Sequence, residues 1–338
     1  MSRLSTVTLI ATGFTLAACA DSTKVTQPTG GLSPSSAASS DQLSWENPRH
    51  EMPTQSQAAG RAKPGGGGGG PGSGIFYHGG RVLLAGPNVA AIYWASGQVY
   101  TGGPTPGTYG DPSADGSLVG YFLKLLGGSS YFNINSTYTD GAGQNIANAV
   151  KYTQYWANNE YSVPSGSASV SDAAMLSMLQ YGFEHGRLTY DPNTVYAIFT
   201  AGTVNLGGGF GTQYCAYHTS ATVTINGVST RVLYAAMPYD YAYPSACTAS
   251  AASPNNDPGA DAEVNTLAHE TEEATTDADL NAWYDRQGYE NADKCAWKWG
   301  TVLYTQSGAP YNITVGGLPF LVQMNWINQG SGGCRNGY

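Results

Sequence analysis

The chain has 338 residues, 45 of them Gly and 24 Tyr, with only 11% charged and a net charge of −9. A negative balance with few cations excludes a nucleic-acid surface and an anionic-membrane surface. The low charge and the Gly and Tyr content fit an exported, loop-rich α+β protein rather than a helical cytosolic one, and no internal apolar run reaches the length of a membrane span.

Residues 1–19 read as a lipoprotein-type signal peptide. Arg3 gives the positive region and residues 9–18 the apolar one. Leu16-Ala17-Ala18-Cys19 then resembles a lipobox, whose Cys19 would carry a lipid and anchor the exported chain to the cell envelope, at the outer membrane or cell surface. An ordinary cleaved signal, giving a secreted protein, is the alternative. Residues 20–74 are rich in Ser, Thr, Gln, Pro and Gly and end in Gly65 to Gly70. Such a composition buries too little apolar surface to fold, which predicts a disordered tether.

Residues 75–338 hold the globular domain. Strands are expected at 82–85 and 88–94. Leu118, Phe122, Leu125 and Leu126 share a helical face, and 144–157 are expected to be helical. Asp172 caps a helix in which Ala174, Met175, Met178, Leu179 and Phe183 are periodic. Residues 194–200 predict a central strand. Residues 214–224 and 230–237 predict a hairpin around Asn226-Gly227. A helix follows at 261–276, and a last strand pair within 311–327 turns at Gly316-Gly317. The expected fold is a single zincin-like α+β layered domain, with a mixed sheet and the 261–276 helix at its centre.

Apart from Cys19, the cysteines are Cys215, Cys247, Cys295 and Cys334. An even number in an exported chain predicts two disulfides. Of the three connectivities, sequence order favours Cys215–Cys247 and Cys295–Cys334. A four-cysteine zinc site is the weaker reading, because no C-x-x-C pair exists.

The chemistry concentrates in Leu267-Ala268-His269-Glu270-Thr271-Glu272-Glu273, which reads H-E-x-x-E and differs from the zinc-peptidase H-E-x-x-H at Glu273. The i,i+4 spacing places His269 and Glu273 one turn apart, where both can ligate one ion, with Glu270 to the side as a general base. Glu290 supplies a third ligand, with Asp293 as a substitute or supporting partner. His218 is a further ligand or transition-state stabiliser, or else a structural His beside a disulfide. The expected cofactor is one divalent cation, zinc ahead of calcium, although two carboxylates also suit harder ions. The competing reading is an acidic helix face that meets only water.

These residues sit in a wider pattern. Tyr77-His78-Gly79-Gly80, Gly86-Pro87-Asn88-Val89, Cys215-Ala216-Tyr217-His218 and Asp261 belong to it. So do Ala268-His269-Glu270, Glu273-Ala274-Thr275, Asn281-Ala282-Trp283-Tyr284, Glu290, Ala292-Asp293, Cys295, Phe320-Leu321-Val322-Gln323, Trp326 and Cys334. Over nearly the whole globular part the chain resembles the EXORDIUM/phosphate-induced protein family of plant extracellular proteins and their microbial relatives. The resemblance implies an exported apoplastic or envelope protein, associated in plants with growth, brassinosteroid response and carbon status. It also implies that Glu at position 273 is the family's own arrangement. Two functions stay open. One is a zincin-like metal-dependent hydrolase acting on peptides. The other is a non-catalytic signalling or binding protein with a structural cation, using Trp283, Tyr284, Trp297 and Trp299 toward a cell-wall component. In both, the membrane enters only through the lipid anchor.

Overall fold

A strand that is apolar on both faces has to be covered by two layers. Asn88–Trp94 is such a strand: Val89, Ala91 and Tyr93 enter one core, and Ala90, Ile92 and Trp94 enter another. In the computed structural model, which describes residues 49–61, 74–166, 168–202 and 204–338, this strand lies inside a mixed sheet with helices on both faces. All described residues fall in one compact unit, Ala37–Tyr338. The signal peptide and Cys19 lie outside the described residues, as does most of the 20–74 segment. Among the described residues no helix is long and apolar enough to cross a membrane.

In chain order the sheet and helices begin with β1 (His50–Pro53), α1 (Gln55–Arg61), β2 (Phe76–Tyr77), β3 (Asn88–Trp94), β4 (Tyr109–Gly110) and α2 (Leu118–Leu126). They continue with β5 (Lys151–Asn158), α3 (Asp172–Glu184), β6 (Thr194–Thr200), β7 (Tyr214–Ile225), β8 (Val228–Met237), α4 (Pro244–Cys247) and α5 (Pro258–Thr276). Short pairs close the chain: β9 (Trp283–Tyr284), which joins β2, then β10 (Leu303–Tyr304) with β11 (Pro310–Tyr311), β12 (Ile313–Val315) with β13 (Leu318–Phe320), and β14 (Asn325–Ile327) with β15 (Gly333–Arg335).

The main sheet runs β1-β7-β8-β6-β3-β5-β4. β5, β3, β6 and β8 are parallel neighbours, while β7, β1 and β4 attach antiparallel. The β7–β8 hairpin turns at Asn226-Gly227, both at positive φ (49° and 81°), as a two-residue primed turn requires. One sheet face packs against α2 and α5, the other against α3 through Met175, Met178, Leu179 and Phe183. The α+β layering and the mixed sheet therefore stand.

Several local expectations do not. Residues 144–157 are not helical. Their second half is β5, where Tyr152, Tyr155 and Trp156 pair beside β3, and aromatic side chains suit a pleated, half-buried surface. Residues 82–85 form no strand. Leu83 instead donates its N–H to Thr275 O at the end of α5, and the chain turns at Gly86. The α3 cap is Ser171, whose side chain accepts from Ala174 N–H; Asp172 turns inward to the hydroxyls of Tyr217 and Tyr234. Leu125 is exposed, and α2 buries Val119, Phe122, Leu123 and Leu126.

The largest correction concerns the tether. Residues 49–61, read from composition as part of a disordered 20–74 segment, carry β1 and α1. Four residues can be specified where a partner waits. β1 pairs with β7, Met52 is fully buried against the Cys215–Cys247 disulfide, and the Trp297 indole N–H donates to Pro53 O at 2.7 Å. Arg49 lies over the rings of Tyr214 and Tyr217.

Candidate metal centre

α5 is buried along nearly its whole length, Glu263, Glu270, Glu272 and Glu273 included. The polar face predicted from its periodicity does not meet water, so the reading of a solvated acidic face is excluded. A buried carboxylate has to be protonated, paired or bound to a cation.

Glu273 is the hub. Its Oε1 lies 3.1 Å from His269 Nε2 and accepts the Asp293 N–H at 2.9 Å. Its Oε2 lies 3.2 Å from His50 Nδ1 and 3.7 Å from His218 Nδ1. Glu290 Oε1 lies 3.6 Å from His50 Nδ1 and 3.7 Å from His218 Nε2. Asp293 Oδ2 lies 3.3 Å from His50 Nε2. Three groups can each close on a cation: His50 with Glu273 and Glu290, His218 with Glu270 and Glu273, and His269 with Glu273 and Asp293. All three share Glu273, so they adjoin one another around that carboxylate. Cys215, Asp240 and Cys247 also converge, but both sulfurs there are bound in the disulfide.

The site residues read from sequence thus come together: His218, His269, Glu270, Glu273, Glu290 and Asp293. The cysteines form Cys215–Cys247 and Cys295–Cys334. The second bridge fixes the short 3-10 turn Asp293–Cys295 that carries Asp293. His50 was missed. It arrives on β1, whose register sets it opposite His218. The one available signal was a His in a stretch of low complexity, in a chain with five His in all.

Neighbouring groups orient the imidazoles. His218 Nδ1 faces Glu270 Oε2 at 3.0 Å, which leaves its Nε2 buried without a hydrogen-bond partner. His50 Nε2–H donates to Gly288 O at 2.9 Å, which leaves Nδ1 facing Glu273 and Glu290. The Gln323 amide meets His269 Nδ1, and Asn265, one turn earlier on α5, accepts the Gln323 backbone N–H. His218, with one ring nitrogen tied to a carboxylate and the other left bare, has the arrangement of a metal-ligating His.

Burial and charge set the protonation. Burial lowers His218 to a pKa of about 4, against the pull of Glu273. Burial also opposes charge on His269 and His50, but the carboxylates prevail. Glu273 chiefly holds His269 at about 9, and Glu290, Asp293 and Glu273 raise His50 well above the usual imidazole range. Burial raises Glu270 and Glu290 far above the carboxylate range. Burial would do the same to Glu273, but His269 and His50 override it and hold it well below. Glu270 Oε1 and Glu290 Oε2 have no partner. Unpartnered oxygens and a bare imidazole nitrogen, all buried around one ionised carboxylate, fit a divalent cation.

Trp283 belongs to a small core with Ile75, Tyr138 and Trp326, Tyr284 stacks on His78, and Trp297 is tied to β1.

Residues 127–331 match the family described as phosphate-induced protein 1 conserved region. A curated relative, Protein EXORDIUM-like 3 of Arabidopsis thaliana, is 26% identical over an alignment of 222 residues that covers 59% of this chain. The match spans 66% of that relative's length. No solved structure matches the chain.

Proposed function

Because this chain belongs to the phosphate-induced protein 1 (EXORDIUM-like) family, we propose that it is an exported, non-catalytic extracellular or envelope protein. In this reading its buried centre holds one divalent cation in a structural role. The observation that carries the reading is closure. The side chains of Glu273, Glu290, Asp293, His218, His269 and Glu270 are each at most 1% exposed, and only His50, at 19%, touches solvent. Structural metal sites are closed, whereas catalytic ones keep a position open for water or substrate. Glu270 Oε2 lies 3.0 Å from His218 Nδ1, where it would orient that imidazole. Three imidazoles in the donor set favour zinc over calcium.

Family membership and the two disulfides support export. The lipid anchor rests on the lipobox alone. The partner would be a peptide or a cell-wall component recognised elsewhere on the surface. One observation favours the zincin-like peptidase as a second reading: His269 and Glu273 meet one turn apart as H-E-x-x-E requires.

Elemental mass spectrometry of the purified chain tests the proposal. About one zinc per chain is expected, lost in Glu273→Ala. No bound cation, even after zinc is supplied, would overturn the cation centre. Peptide hydrolysis by zinc-loaded protein, abolished by Glu270→Gln, would replace the structural role with the catalytic one.

A further inference from the structure

Six of the ligand candidates come from β7, α5 and the segment that follows α5. His50 comes from β1, at the other end of the described chain, and joins them from the sheet edge. β1 is anchored by a short ladder with β7, by Met52 against the disulfide, by the Trp297 indole bond to Pro53 O and by the Arg49 stack on Tyr214 and Tyr217. Beyond that anchorage, His50 reaches the hub of a buried cluster.

The geometry around His50 is that of a ligand. Its Nε2–H is held by Gly288 O, so Nδ1 faces inward to Glu273 and would offer its lone pair once a cation displaces its proton. Nδ1 lies 3.2 Å from Glu273 Oε2 and 3.6 Å from Glu290 Oε1, and Glu290 Oε1 lies 3.7 Å from the bare Nε2 of His218. Neighbouring ligand atoms around a tetrahedral zinc with bonds near 2.0–2.2 Å stand about 3.3–3.6 Å apart. His50 Nδ1, Glu273 Oε2 and Glu290 Oε1 therefore need only small shifts to close on an ion. Glu270, on the far nitrogen of His218, completes the carboxylate–histidine arrangement that steadies such a ligand.

We infer that His50 is a ligand of the cation and that β1 is a metal-latched strap. Occupancy of the centre fixes residues 49–53 on the edge of β7, and loss of the ion loosens them. The inference rests on the cation centre proposed above and adds one ligand and one linked element to it. Linkage requires the effect to be mutual: an ion that binds the docked strap more tightly must favour docking by the same factor.

Hydrogen exchange read by mass spectrometry, on the full chain with and without added zinc, tests this. In the native protein zinc is expected to slow exchange of the β1 amides at least tenfold, along with those at the C-terminal end of α5. His50→Ala is expected to bind zinc at least tenfold more weakly and to show no slowing at β1. If zinc binds the native chain and protects α5 while β1 exchange stays unchanged, the strap is overturned and the cation centre stands. If zinc neither binds nor protects any segment, the centre itself fails and the strap with it. The native measurement decides the question even if the variant does not fold.

Discussion

Gln323 shows how much one amide can decide. Its carbonyl accepts the Trp297 N–H at 3.3 Å, which turns its NH2 toward His269 Nδ1. In the neutral imidazole that bond places the proton on Nε2, facing Glu273. A cation at Nε2 needs the opposite tautomer, with Nδ1–H donating, so binding there requires the amide to reverse. Gln323→Glu supplies an acceptor in both directions. The variant is expected to bind zinc roughly ten times more tightly, the scale on which supporting hydrogen bonds tune metal sites. In the metal-free state it should be less stable, because it adds a buried charge. Calorimetric titration and thermal unfolding check the two halves separately. Equal affinity in both proteins would show that His269 is not a ligand. Gln323 lies 54 residues beyond His269 in sequence, so nothing local announces their contact.

At the scale of elements, α5 explains why part of the site was legible. His269, Glu270 and Glu273 share a helix turn, so spacing alone brings them together. The same periodicity could not tell a face turned to water from one turned into a buried cluster, because both are polar stripes. Only the packing of α5 under the sheet and behind the C-terminal hairpins distinguishes them. Glu290 and Asp293 were readable by their distance along the chain. His50 was not, since a four-residue strand draws its stability from β7 rather than from its own composition.

α5 carries a second buried carboxylate whose consequence is separate. Glu263 has no well-formed hydrogen bond; the Tyr100 hydroxyl and the Asp240 amide only approach it. Burial raises its pKa from 4.5 to about 8, and Asp240 nearby is raised by burial and by Glu263 itself. The sign follows from which state holds the proton. Below the unfolded value both states are protonated and folding is unaffected. Between that value and about 8 the folded chain retains a proton that the unfolded chain has released, so stability falls as pH rises and levels off above. Glu263→Gln is expected to flatten this slope and to be the more stable protein at pH 8. Urea unfolding at a series of pH values would show it. A parallel pair of curves would mean that Glu263 is not the group responsible.

For the whole molecule, the disulfides tie the periphery to the layers. Cys215–Cys247 joins β7 to α4 across 32 residues and forms the floor on which Met52 rests. Replacing both cysteines by Ala should cost about 2–5 kcal/mol in urea unfolding and should release β1 before the rest of the sheet. The mixed sheet and its two helix layers were legible because β3, β6, the β7–β8 hairpin and α3 each carry a clear period or turn. β5 was misread because the stretch before it, through Asn145, Ile146 and Val150, has helical spacing, while the aromatics that follow select a strand only once β3 is present beside them.

β1 also does something for solubility. It is an edge strand, and it covers β7 from Tyr214 to His218, a stretch that is buried throughout. If the strap lifts, that stretch presents unpaired N–H and C=O groups on an apolar ribbon, which is how sheets recruit strands from other molecules. Stripping the ion should then make chains associate with one another as concentration rises, a change that light scattering would register. A protein that stays monodisperse after chelation would mean that β1 holds the edge unaided. The metal centre would thus guard the protein against aggregation.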